Sequence, residues 1–325
     1  MGLSSHLVAR QRKTSHLPRR RRKAVPPPPV LPGARVGVAA LSGPVDAARL
    51  EAGLAALRAL GFEPVEARNL RRSTGLFAGD DRERLEAFHA LAADPSLRAI
   101  VFARGGHGVL RVLPAVDWQL LGRVPRAYVG YSDLTPLLLE IVARLGLIAF
   151  HGPMVAADLA RGLEAVERAD FLAALGGSWP RALPLAGIRG GAARGRLLGG
   201  CLSLLTAVLG SRHAPDLRDA ILVIEEIDEP RYRLDRMLTQ LRLSGSLKQI
   251  RALVFGHLTA TGPRSVEADW QALAAGSDLD FEGPVAWGLP VGHQAPNLML
   301  PLGGIARLDP QRRMLIVEPA ASRKR

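Results

Sequence analysis

The chain has 325 residues, 48% of them hydrophobic and 22% charged, a length and balance that predict a globular, soluble body of about two domains. No apolar run approaches the roughly 18 residues needed to span a bilayer, and an aromatic content of 5% is thin for a base-stacking nucleic-acid platform. The formal net charge is +13, but residues 1–32 hold eight Arg and Lys with no acid and Arg323, Lys324 and Arg325 add three more, which leaves +2 for residues 33–322. A nearly neutral body argues against nucleic-acid binding beyond weak, non-specific contact by the tail.

Residues 1–33 combine a run of basic residues with RRRRKAVPPPPVLPG and predict a disordered basic, proline-rich extension. Prolines rather than an apolar stretch follow the arginines, which disfavours a secretory or twin-arginine leader. Order is expected from ARVGVAALSGPV (34–45), a β-branched run ending in Ser-Gly-Pro and so a buried strand entering a turn. DAARLEAGLAALRALGF then spaces Leu50, Leu54, Leu57 and Leu60 at helical intervals, with Gly61 as the stop. EPVEAR reads as a second strand and DDRERLEAFHALAAD as a second helix. LRAIVFARGG is a strand feeding a glycine loop, and RAYVGYSDLTPLLLEIVARLG repeats strand, turn and helix. This alternation predicts parallel βαβ units across an N-terminal domain over 34–175.

Residues 176–195, rich in Gly and Pro, read as a linker or crossover. A second α/β domain is expected over 196–320. It holds the apolar strand AILVIEEID, the amphipathic YRLDRMLTQLRLSG, the strand IRALVFGHLT and the late GPVAWGLPVGHQAPNLMLPLGGIARLD. A basic tail, 321–325, closes the chain.

Four stretches carry candidate chemistry. In VGYSDLTPLL (129–138), Ser132 stands where a strand ends and a helix begins. It is either a nucleophile at a tight corner, with Gly130 permitting close approach, or, with Asp133, a cap on the helix opening at Leu134. Leu134 occupies a position where the nucleophile-elbow pattern has a small residue, and a serine hydroxyl needs a base to take its proton. In ARGGHG (103–108), Gly105 and Gly106 let backbone N–H groups approach an oxyanion or carboxylate. A tight turn is an equal reading. The stretch lacks the Gly-Lys-Ser/Thr ending of a triphosphate loop, and His107 reads as a rim or structural residue.

In ILVIEEIDEP (221–230), Glu225 and Glu226 end an apolar strand, the edge at which open α/β sheets place their sites. Adjacent strand residues point to opposite faces, so at most one enters a given pocket; a solvated strand end is the competing reading. In GLPVGHQAPNLMLPLG (288–303), His293 lies between Pro290, Gly292, Pro296 and Pro301, and a loop histidine titrating near neutrality suits acid–base work. His257 competes for that role. The single cysteine, Cys201, excludes an intramolecular disulfide, fits a reducing compartment, and lacks the basic neighbours that would activate it. Scattered histidines without HExxH or paired cysteines predict no metal site.

Taken in order, ARGGHG, VGYSDLT, GRLLGGCLSLL, ILVIEEIDEPRYRLDRMLTQLRLSG and GLPVGHQAPNLMLPLG resemble the LD-carboxypeptidase family of serine peptidases, over roughly 34–320. The resemblance implies an N-terminal flavodoxin- or glutamine-amidotransferase-like layered α/β domain, a smaller C-terminal α/β domain, and an active site in the cleft between them. It implies Ser132 as nucleophile, His293 as base and Glu225, rather than Glu226, as the orienting acid. The backbone N–H groups of Asp133 and Gly106 would form the oxyanion hole, with Gly105 and His107 against the substrate. His107 stands where an aromatic residue is common in the family and Gln294 where glycine is common, so the departures bear on substrate detail. The implied substrate is a murein tetrapeptide losing D-Ala during cell-wall recycling. The implied setting is the cytoplasm and the implied enzyme a homodimer with neither metal nor cofactor. An immunity-type peptidase cleaving a peptide–nucleotide antibiotic is the alternative within the family. A non-catalytic α/β ligand-binding protein is the alternative outside it.

Overall fold

A computed structural model describes residues 23–259 and 280–318; the extension up to residue 22 and the tail 321–325 lie outside the described residues. The first half supplies β1 (Arg35–Ala39), β2 (Glu63–Glu66), β3 (Leu97–Phe102), β4 (Ala127–Gly130) and β5 (Ala149–His151). The second supplies β6 (Arg181–Pro184), β7 (Gly187–Arg189), β8 (Ala193–Cys201), β9 (Ala220–Glu226) and β10 (Ala252–Leu258). It ends with β11 (Val285–Trp287), β12 (Leu300–Leu302), β13 (Ile305–Asp309) and β14 (Met314–Glu318).

Two sheets form, ordered β12-β5-β4-β3-β1-β2 and β6-β14-β13-β8-β9-β10-β11-β7. In the first, β1 to β5 pair in parallel. Such a core needs cover on both faces, and the helix Ala47–Ala59 contributes by burying Leu50, Leu54 and Leu57. The second is parallel at its centre, β8-β9-β10-β11, with antiparallel flanks. β9 is buried along its whole length, as its unbroken AILVI run requires.

Three features depart from expectation. Residues 24–33, placed by composition in the extension, lie against the body. Ala24 and Val30 are buried, and the Val25 and Val30 N–H groups donate to Gly146 O and Leu175 O. The stretch 176–195 carries β6 and β7, at opposite edges of the second sheet. Its prolines are compatible with edge strands, where one row of N–H groups needs no partner, and β6 alternates with Arg181 and Leu183 facing inward. Finally, β12 leaves the C-terminal half and pairs antiparallel with β5, extending the first sheet.

The two sheets meet beside the segment that follows β4. The Cys201 N–H at the end of β8 donates to Thr135 Oγ1 at 3.1 Å, and His213 Nδ1 lies 2.8 Å from Glu140 Oε1. Because Cys201 is in register with Glu225, the junction brings the end of β9 to the C-terminal edge of the first sheet.

Candidate active site

Ser132 follows β4 at a corner with φ 61°, a left-handed conformation that costs a non-glycine residue about 1–3 kcal/mol and persists only where surrounding structure enforces it. The residue is half-buried. A Cβ at Gly130 would stand 3.0 Å from Phe102 Cδ2 and 3.3 Å from Leu134 Cγ. Leu134 therefore fits because Gly130 leaves it room. Neither Ser132 nor Asp133 caps the helix Thr135–Glu140, which opens with Pro136 in its first turn and no side-chain cap. Proline is tolerated there because first-turn N–H groups have no intrahelical acceptor.

The Asp133 carboxylate has another task. Its Oδ2 accepts from Ser42 Oγ at 2.7 Å and from the Val109 N–H at 2.9 Å. It thereby ties the loops after β1, β3 and β4 into one unit at the sheet's C-terminal edge. Burial pushes this carboxyl above its usual range, and the two hydrogen bonds only partly oppose that.

Gly105 backs directly onto the corner. A Cβ there would lie 2.8 Å from Ser132 Cβ, 2.9 Å from Ser132 Oγ and 3.4 Å from the Asp133 nitrogen, so glycine is the residue that leaves the hydroxyl in place. Its carbonyl accepts the Gly43 N–H at 3.2 Å, which fixes the turn. Gly106 and His107 are exposed, and the His107 ring stands 5.8 Å from that of Phe77, a rim position.

Glu225 and Glu226 are both buried, against the reading of a solvated strand end, and the pleat separates them. Glu225 Oε2 lies 2.7 Å from His293 Nδ1. Glu226 turns to the other face, where it accepts the Ser203 N–H at 2.7 Å and the Ile227 N–H at 3.0 Å. His293, not His257, is the histidine on Glu225; the His257 N–H donates to Val291 O at 2.8 Å. Gly292 makes the pair possible, since it has φ 121° and a Cβ there would stand 2.7 Å from Glu225 Oε2. Burial raises the Glu225 carboxyl. Burial also pushes the His293 imidazole down, but the charge and hydrogen bond of Glu225, with smaller help from Glu226 and Asp158, more than reverse this, and its pKa is raised.

The serine corner and the acid–imidazole pair meet through Tyr131, whose ring packs edge-on against His293 at 4.8 Å and 74°. No hydrogen bond joins Ser132 to His293 among the described residues.

Sequence reasoning missed the residues that hold this meeting point. Tyr131 interacts with Asp158, and Asp158 Oδ1 accepts from Asn297 Nδ2 at 3.3 Å. Asn297 Oδ1 accepts the Gly292 N–H at 3.0 Å, while the Asn297 N–H donates to Glu167 Oε1 at 2.7 Å. The loop bearing His293 is thus moored to the 155–167 segment. His151 is buried against Tyr131, the rings 5.5 Å apart, with both nitrogens lacking partners among the described residues. Asn297 lay inside a stretch singled out for His293, but only its neighbours in space reveal its role. Cys201 is a buried thiol, pushed well above its usual range by burial and by the nearby Glu225 and Glu226 charges, which suits a core residue. Among the described residues no cluster of three or more His, Cys, Asp or Glu is placed to hold a metal ion, and no helix is long and apolar enough to cross a membrane.

Comparison with known proteins covers both halves. The family model for the LD-carboxypeptidase N-terminal domain matches residues 36–152, and that for the LD-carboxypeptidase C-terminal domain matches 194–308. A murein tetrapeptide carboxypeptidase of Pseudomonas aeruginosa is 32% identical over 291 residues, covering 86% of this chain and 94% of the relative. The microcin C7 self-immunity protein of Escherichia coli is 26% identical over 317 residues, covering 86% and 92%. The crystal structure of muramoyltetrapeptide carboxypeptidase from Oxalobacter formigenes superposes with a TM-score of 0.78 at 27% identity, covering 89% of this chain and 99% of that one.

Proposed function

The chain belongs to the LD-carboxypeptidase family, and from that footing we propose that it is a serine-type LD-carboxypeptidase converting a murein tetrapeptide to the tripeptide and D-Ala. The observation that carries this reading is the 2.7 Å bond between buried Glu225 and His293 beside a serine held at φ 61°. With Nδ1 committed to Glu225, Nε2 is the nitrogen left to take the Ser132 proton. Glu225 orients the ring and stabilises the imidazolium that forms.

Ser132 Oγ attacks the carbonyl of the L-centre, and the oxyanion is met by the backbone N–H groups of Asp133 and Gly106. Each such donor is worth about 10²–10³ in rate. His293 then protonates the leaving amine of the D-residue, and water, deprotonated by the same imidazole, releases the acyl group from Ser132. Gly105 and His107 face the substrate in this scheme. The single buried cysteine accords with a cytoplasmic setting.

The test is D-Ala release from purified protein and tetrapeptide, wild type against Ser132→Ala. A fall of about 10⁴-fold or more is expected; release unchanged in the variant removes Ser132 from the chemistry. Likeness to the self-immunity protein favours one second reading, a peptidase acting on a peptide–nucleotide antibiotic. Parallel assays on the two substrates separate them, because both readings use the same serine.

A further inference from the structure

We propose that Arg104 is the residue that grips the terminal carboxylate of the substrate, and so makes the enzyme a carboxypeptidase rather than an endopeptidase. The inference rests on the carboxypeptidase reading above and assigns the anion subsite that such a reaction requires.

Arg104 is exposed on the loop after β3, one residue before the glycine that backs onto Ser132. Its guanidinium lies across two glycines. A Cβ at Gly43 would stand 3.8 Å from its Nε and Cζ, and one at Gly106 would stand 3.8 Å from its Nη2. Nη1 donates to Pro44 O at 3.0 Å, which anchors one side of the plane and leaves other N–H donors available.

The local charge balance singles this residue out. Arg84 and Arg111, the other arginines around the same loop, both pair with Asp81. Arg104 has no carboxylate within ion-pairing distance among the described residues, and its guanidinium donates to the backbone carbonyl of Pro44.

In the leaving D-residue the carboxylate is three bonds from the scissile carbonyl carbon, so its binding group must stand close to the nucleophile. An arginine fork matches a carboxylate with two parallel hydrogen bonds, which an ammonium cannot reproduce. Gly43 and Gly106 place no side chain against that fork, and Gly105 places none against the Ser132 hydroxyl. A chain continuing past the D-residue has a neutral amide instead of this anion and forfeits the pairing.

The experiment compares a tetrapeptide ending in free D-Ala with the same peptide ending in D-alaninamide, using wild type, Arg104→Met and Arg104→Lys. Hydrogen bonds to charged groups of this kind predict that wild type prefers the free acid by about 100-fold in kcat/KM. Arg104→Met should lose about that factor on the free acid, chiefly through KM, and so bring the two peptides to near-equal kcat/KM, with a thermal melt showing the variant folded. Arg104→Lys should recover only part of the preference. An Arg104→Met enzyme that still prefers the free acid, or that weakens equally on both peptides, overturns the assignment. Wild type inert on both peptides would instead bring down the serine carboxypeptidase reading on which it rests.

Discussion

Glu225 meets His293 through one oxygen, at 2.7 Å, from a position with no solvent exposure, and its other oxygen, Oε1, has no hydrogen-bond partner among the described residues. A buried carboxylate is ordinarily satisfied on both oxygens. Here the imidazole is the group that balances the charge, so the stability of the carboxylate and the basicity of the histidine depend on each other.

The first consequence is a pH profile. A general base works when neutral, and the His293 pKa is raised, so more alkaline solution is needed to free its nitrogen. The acidic limb of kcat/KM should therefore fall above the ordinary histidine value of about 6.5. In Glu225→Gln the supporting charge is gone while burial still disfavours the imidazolium, so the limb should move down in pH and kcat should drop by about 10⁴-fold. A limb that stays in place when Glu225 is neutralised would show that another group sets it.

Gly105 makes a steric prediction. A Cβ at this position would lie 2.9 Å from Ser132 Oγ and 3.4 Å from the Asp133 nitrogen. Gly105→Ala should leave the fold intact, because the atoms nearest the new methyl belong to the Ser132 corner and not to the sheet core. It should cost about 100-fold in kcat by displacing the hydroxyl from its attack geometry. Thermal melts alongside steady-state kinetics check this, and an active alanine variant would mean that the loop and corner part more readily than their packing suggests.

How far these relationships are legible in the sequence differs from residue to residue. Ser132, Glu225 and His293 each stand at a strand end or in a loop whose composition points to chemistry, and Glu225 and His293 are indeed partners. The role of Asp133 was not legible, because its ligands Ser42 and Val109 lie 91 and 24 residues away and a polar residue before a helical run reads as a cap. The parallel βαβ core followed from alternating periodicities. The pairing of β12 with β5 did not, since a three-residue strand has no periodicity to read. Likewise β6 and β7 are strands because of the sheet edges they join, and their glycines and prolines alone suggest a loop.

Asn297 carries a prediction about the His293 loop. It is fully buried, accepts the Gly292 N–H and donates to Asp158. Asn297→Ala leaves that N–H and the Asp158 oxygen without this partner, an expected loss of about 1–3 kcal/mol per buried group. Because the loop presents His293, kcat should fall with little change in KM. Asn297→Asp should be worse, since it sets a third acid beside Asp158 and Glu167. Urea unfolding and steady-state kinetics measure both, and a variant with native stability and turnover would show that the loop holds itself.

His151 carries a prediction about acid. Burial first, then the neighbouring His293 and His257, push its pKa down to about 3, whereas the unfolded chain titrates near 6.5. Between these values the unfolded state binds a proton that the folded state refuses, so stability falls as pH drops from about 6.5 toward 3, by at most about 1.4 kcal/mol per pH unit from this residue. Both ring nitrogens lack partners among the described residues, so His151→Phe removes none of the hydrogen bonds seen there and keeps a ring against Tyr131. Replacing an unpartnered buried polar group by an apolar one of similar shape should be neutral or stabilising at pH 7. Urea titrations across the pH 4–7 range should then give a shallower loss of stability for His151→Phe than for wild type. Parallel curves for the two proteins would place the acid-sensitive group elsewhere.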